Sequence, residues 1–209
     1  MANVRRYILV WLASALIFAI AVGVSFRHLD VPLARYAIAH FDHPFTKSLE
    51  VKATILLGIE AIIFATLAVL RLLHGHLTKF SRALALACIS SICAYAINSL
   101  VLKVIFGVPN VGEVLHGAPH IADLAGGSPF SSFPSGHMAL AGAFAGVFAV
   151  FYRKASLPIA VAIALGCGVL VMGTWHFLSD VLAGTFLGVS AGLLAGAIWV
   201  VHAEPYQRP

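Results

Sequence analysis

Charge is what this sequence has least of. Asp, Glu, Lys and Arg together make up 10% of its 209 residues, against 61% hydrophobic residues. A soluble domain carries about 25% charged residues, so this composition excludes an ordinary water-soluble globule and fits a chain whose solvent is the bilayer. Acidic residues are especially few, eight against 13 basic ones, for a net charge of +5. The basic residues fall at the ends of apolar runs, where membrane proteins use them to set orientation, and a nucleic-acid partner is not expected. Cysteine is also scarce. Cys88, Cys93 and Cys167 each lie inside an apolar run. Cys88 and Cys93, five apart, point in different directions on a helix, so no disulfide framework is indicated and all three read as small buried hydrophobes. Arginine is missing altogether from residues 83–152 and 155–207. No low-complexity segment, linker or second domain boundary is visible, so a single membrane domain over residues 1–209 is expected.

What is present is a series of apolar runs. Six spans are predicted, over residues 7–24, 53–70, 83–101, 134–152, 157–175 and 181–201. The first is long for a signal peptide and lacks a convincing cleavage site, so a retained span is expected. Between the first two, Asp30 and Pro32 signal a helix start, and Leu33, Tyr36, Ala37 and Phe41 recur at helical spacing. That pattern predicts a short amphipathic helix lying on the outer membrane face. His28, His40 and His43 fall in this region, at spacings that match no standard metal-ligand pattern, and read as interfacial residues. With the N-terminus inside, inner segments hold eight of the 13 basic residues, which predicts cytoplasmic termini. The last span carries Gly184, Gly188, Gly192 and Gly196 at four-residue spacing, a smooth stripe for close helix approach, with Gly142 and Gly146 as a possible complement.

Polar residues gather at a few places. Pro134-Ser135-Gly136-His137 opens the fourth span. Proline suits the first turn of a helix, and a helix start with uncovered N–H groups binds anions, phosphate above all. His176 and Asp180 stand between the fifth and sixth spans, the spacing of an imidazole oriented by a carboxylate. Lys103 ends the third span. By the span count all three elements share the outer membrane face. Glu60, near the middle of the second span, is equally readable as a functional carboxylate or as a neutral packing residue.

These residues resemble the type 2 phosphatidic acid phosphatase (PAP2) superfamily of membrane lipid phosphatases. The family shows Lys-x6-Arg-Pro, Pro-Ser-Gly-His and Ser-Arg-x5-His-x3-Asp elements. The second is intact at Pro134-Ser135-Gly136-His137. The end of the third is intact at His176 and Asp180, followed by a family-like Val181-Leu182-Ala183-Gly184, and Lys103 holds the lysine position of the first. The motifs fall between residues 103 and 188. The arginine positions depart: Asn110 and Val111 replace Arg-Pro, and Val169 and Leu170 replace Ser-Arg.

The resemblance implies an all-α, six-span membrane bundle of the PAP2/haloperoxidase-like type and a metal-free, cofactor-free hydrolase in the bacterial inner membrane, with its site facing the periplasm. It implies His176 as nucleophile, Asp180 as its orienting partner and His137 as general acid. Lys103, Ser135, Gly136 and Asn110 would bind phosphate. Thr174, His116 and His120 are further donor candidates, the two histidines reading rather as solvated loop residues. A site short of cations also suits a phosphodiester, so a head-group transferase resembling sphingomyelin synthases is the first alternative, and a non-catalytic lipid-binding relative the second.

Overall fold

The computed structural model describes residues 2–41 and 52–203. Helices make up the fold, and no strand occurs among the described residues. They are α1 (Ala2–Val24), α2 (Asp30–Phe41), α3 (Ala53–His74), α4 (Lys79–Ile97), the short α5 (Lys103–Phe106) and α6 (Val111–Leu115), α7 (Gly136–Phe151), α8 (Ser156–Met172) and α9 (Leu178–Ala203).

Among the described residues, five helical runs are long and apolar enough to cross a membrane. The predicted fourth span, α7, is a shorter apolar helix of 16 residues.

The helix predicted between the first two spans is present as α2, but it runs on from the first span instead of standing apart from it. α1 and α2 join through a π-helical turn, Ser25–Leu29. The reason lies in Pro32, which has no N–H to give and whose ring crowds the carbonyl four residues back. A wider turn just before it relieves that crowding, and the Asp30 N–H bonds instead to the Ser25 carbonyl. Of the three histidines placed near this helix, His43 lies outside the described residues.

A second π turn, Asn98–Leu102, joins α4 to α5. Residues five apart on a regular α-helix differ by about 140°, so Asn98 and Lys103 would face different ways. The wider turn brings both to the buried side.

The tightest packing is between α7 and α9, and the glycine stripe causes it. A Cβ added at Gly184 would lie 2.4 Å from the Ser135 carbonyl oxygen, one at Gly188 2.4 Å from that of Ala139, and one at Gly192 2.1 Å from that of Ala143. From the other side, a Cβ at Gly146 would lie 2.8 Å from the Leu193 nitrogen. Bare backbone meets bare backbone, which is how helices associate where lipid removes any hydrophobic drive between them. α1 braces the far side of α9. Phe18 packs on Phe186 at 5.2 Å, and the Trp11 indole donates to Ser190 Oγ at 3.1 Å.

Glu60 is explained within the bundle. Ser91 Oγ lies 3.1 Å from Glu60 Oε1 and 2.7 Å from the Leu140 carbonyl oxygen. A hydroxyl has one hydrogen and a carbonyl has none to give. A neutral Glu60 completes the set, donating to Ser91 while Ser91 donates to Leu140, and so tying α3 and α4 to α7.

Two outcomes are expected. Gly188→Leu forces α7 and α9 apart and lowers the thermal unfolding midpoint in detergent, a cost of about 1–3 kcal/mol by analogy with overpacked cores. Glu60→Gln, whose amide still donates, keeps the parent midpoint, whereas Glu60→Ala lowers it.

Candidate functional site

The site is built at the end of the bundle where α7 and α9 begin and α8 ends. Several backbone groups at these two helix starts are already used. The Ser135 hydroxyl caps the Met138 N–H, and the Ser135 N–H donates to the Asp180 carbonyl at 3.0 Å. Ser135 is fully buried. So the serine of the Pro-Ser-Gly-His element is occupied in joining the two motif segments. Its N–H is not the uncovered donor that the sequence suggests. Gly136 has a packing reason as well, since a Cβ there would lie 2.9 Å from the Tyr95 ring.

This join brings the two histidines together from 39 residues apart. His137 Nδ1 lies 3.3 Å from His176 Nε2, with the rings edge to face at 73°. On its other side, His176 Nδ1 lies 3.3 Å from Asp180 Oδ2. That contact holds the Nδ1 hydrogen on the carboxylate side and leaves the Nε2 lone pair toward His137.

Asp180 is fully buried and its Oδ2 is shared. It accepts from the Phe177 N–H at 3.0 Å and from the Ser132 hydroxyl, in addition to facing His176. Phe177 precedes α9 and has no side chain to cap with, so Asp180 closes back onto its N–H as the third residue of a capping box does. The Oδ1 atom is buried with no hydrogen-bond partner among the described residues.

The loop over the site is pinned from below by the π turn. Asn98 Nδ2 donates to the Pro134 carbonyl at 3.1 Å, and the Lys103 ammonium donates to the Ser131 carbonyl. The Ser132 N–H donates to the Val108 carbonyl at 2.8 Å. Lys103 is 8% exposed, and its bond to Ser131 holds its ammonium beneath the loop.

The other sequence candidates have different occupations. Asn110 is exposed and caps α6, its Oδ1 accepting from the Glu113 N–H at 3.0 Å while Glu113 returns a bond to the Asn110 N–H. Leu170, at the second arginine position, is buried with Met138, Val171 and Val181, and its carbonyl accepts from the His176 N–H at 3.3 Å. Thr174 adopts a left-handed φ of 59°, and its hydroxyl turns back to the Gly173 carbonyl. His116 is exposed, as read from sequence, and bonds to the Gly112 carbonyl at 2.7 Å. His120 corrects that reading. Its ring is sandwiched between Phe26 at 4.3 Å and Phe177 at 4.4 Å, and its Nε2 lies 3.5 Å from Asp30 Oδ2. Two aromatic neighbours and a carboxylate hold it against the fold, out of bulk water.

Asp30 is the residue that sequence reasoning missed. It is 1% exposed. Its Oδ1 accepts from the Ser179 N–H at 3.0 Å, and its Oδ2 accepts from the Ser179 hydroxyl. The carboxylate thus occupies the positive end of α9 from another helix, next to the residue that orients His176. No local signal marks a partner 149 positions away. Its place two residues before Pro32 explains only the helix start.

The model of the "PAP2 superfamily" matches residues 82–204, a stretch that holds both histidines, Asp180 and Lys103. Two curated relatives named "Lipid A 1-phosphatase", from Rhizobium johnstonii and Rhizobium etli, are each 39% identical over 71 residues, 34% of this chain. That match spans 29% and 30% of those relatives' own lengths. No solved structure gives a significant match.

Removing the Asp30 carboxylate leaves a buried N–H and a buried hydroxyl without acceptors. Asp30→Ala is expected to cost about 1–3 kcal/mol, read as a lower unfolding midpoint in detergent, and Asp30→Asn, which keeps one acceptor, to cost less.

Proposed function

Because the chain belongs to the PAP2 superfamily, we propose that it is a membrane lipid phosphatase working through a phosphohistidine on His176. The observation that carries this reading is the unbroken line His137, His176, Asp180, at 3.3 Å per step. Asp180 holds the hydrogen on Nδ1, so Nε2 has the lone pair that attacks phosphorus. The N–P bond forms as the P–O bond to the lipid breaks, and His137 gives its proton to the leaving oxygen. Water then attacks phosphorus, the N–P bond breaks, and His137 takes the proton from that water. Nitrogens 3.3 Å apart leave no room for phosphorus between them. The closed pair is therefore the resting state, and one imidazole swings away when substrate enters.

Phosphoryl transfer spreads negative charge over the equatorial oxygens. Lys103 supplies a positive charge beside the site, and Gly136, at the start of α7, contributes the positive end of that helix. Asn110 joins these only if its amide nitrogen reaches the substrate, since its oxygen is engaged in capping α6.

The lipid A 1-phosphatase names among the relatives make a lipid phosphate monoester or pyrophosphate the substrate class to test first. The distribution of basic residues supports a site on the extracytoplasmic face, with both termini in the cytoplasm. In this reading α7 is a sixth span completing one membrane domain over residues 1–209. Its 16 residues rise about 24 Å, and the turns at either end bring it near the hydrocarbon thickness.

One observation favours a second reading, head-group transfer between lipids. The positions of both family arginines carry neutral residues, Asn110 and Leu170, and fewer cations suit the single charge of a diester.

The test is incubation of the purified chain with a panel of ³²P-labelled lipid phosphates, lipid A phosphate included. Free phosphate and an acid-labile, base-stable label on the protein are expected, both abolished in His176→Ala. His137→Ala is expected to lower turnover by about 10²–10⁴-fold. Undiminished turnover in His176→Ala removes the nucleophile from this scheme. Label passing to a second lipid, with no free phosphate, selects the transferase.

A further inference from the structure

A cleft of about 1500 Å³ opens at the other end of the bundle, where α7 finishes and α8 begins. It starts among Lys79, Arg82, Arg153 and Lys154 and runs inward along one face of α9, past Ala197, Leu193 and Val189 to Thr185. These α9 positions are four residues apart, so they form a continuous strip. From Val200 to Thr185 the strip is about 22 Å long, more than the roughly 15 Å of hydrocarbon in one leaflet. Ile159 and Ile163 of α8 form the opposite wall.

Among the described residues the mouth is positive: no carboxylate lines the cleft, and none of its four cations has a carboxylate within ion-pair distance. Lys79 lies over the Tyr152 ring at 5.3 Å. Arg82 lines the cleft, and its Nε is buried without a hydrogen-bond partner among the described residues. The tendency of basic residues to gather at the inner face accounts for their sign, not for their convergence on one cleft. Arg71 is at the same end of the bundle, yet it lies outside the cleft and bonds to the Gly75 carbonyl.

A cationic mouth on a leaflet-deep apolar groove matches an amphiphile with an anionic head. We propose that this cleft binds one anionic phospholipid, its phosphate held by Arg82 and Lys79 with Arg153 and Lys154 at the rim, and an acyl chain along the α9 strip. Phosphate esters pair strongly with guanidinium and ammonium groups, and basic pockets between membrane helices take such head groups. The site stands apart from His137 and His176, and its occupancy does not depend on their chemistry.

The test is native mass spectrometry of the full chain in detergent, titrated with phosphatidylglycerol or phosphatidylcholine. One phosphatidylglycerol per chain is expected, bound at least tenfold more tightly than phosphatidylcholine. Lys79→Gln/Arg82→Gln is expected to remove that preference, and Arg71→Gln to keep it. Lys79→Gln/Lys154→Gln alters only exposed side chains and serves if the first variant does not fold. A separate variant, Ala149→Phe, fills the groove without changing charge and is expected to lower the bound fraction as well. Equal binding of the two lipids overturns the proposal. So does retention of the preference in both charge variants, or an equal loss in Arg71→Gln, which marks general surface attraction. Full displacement by inorganic phosphate at millimolar concentration also overturns it, because the acyl chain then contributes nothing.

Discussion

Backbone contact between α7 and α9 is the constraint on which everything else rests. With glycine at 184, 188 and 192, the second helix lies directly on the carbonyl oxygens of Ser135, Ala139 and Ala143. Lipid solvates an apolar side chain as well as another protein helix does, so interdigitated leucines would give little preference for one partner. Small residues give close approach, and close approach fixes both the relative height and the rotation of the two helices. The histidine pair needs both, because His137 belongs to one helix and Asp180, which contacts His176, to the other. A shift of one turn, about 5.4 Å, would separate the imidazoles beyond any shared ligand.

On that join the protein builds a small polar interior from groups that seldom act alone. Asp180 Oδ2 serves His176, Ser132 and the Phe177 N–H together. Asp30 serves both donors of Ser179. Asn98 and Lys103 hold the loop by two of its carbonyls. In an apolar surround an unpaired polar group is costly, so each bond of this kind restricts the chain to one arrangement. In the loop ahead of α7, Phe133 packs edge to face on Phe106 at 5.1 Å, and the donors and acceptors beneath the loop fix it further.

Much of this could be read from the residues. The long apolar runs marked the helices, and the four-residue glycine spacing marked the face used by α9. The Pro-Ser-Gly-His element and the His-x3-Asp spacing named the groups that now stand within 3.3 Å of one another. What could not be read depends on departures from the regular helix or on distance along the chain. Periodicity assumes one angle per residue, so it cannot foresee that a π turn returns Lys103 to the side of Asn98. Asp30 and Pro32 looked like the start of a new helix because proline suits a first turn, and a wide turn let the first helix run on through them. The Asp30–Ser179 contact joins first and last helical runs, which no local pattern reports. Ser135 was read as a phosphate-binding residue with a free N–H; its work as a helix cap and in tying down Asp180 follows only from the packing of α7 and α9.

The continuous run of α1 and α2 has a mechanical consequence. Over its 37 residues from Arg5 to Phe41 its helical path is about 55 Å long, attached to α9 near one end through Trp11 and Phe18 and further along through Asp30. Two well-separated attachments keep it and its neighbour at one inclination, and the glycine seam locks α7 to the same body. A thinner or thicker bilayer is then met by tilting the three helices together, and the imidazole pair rides on that body without shear.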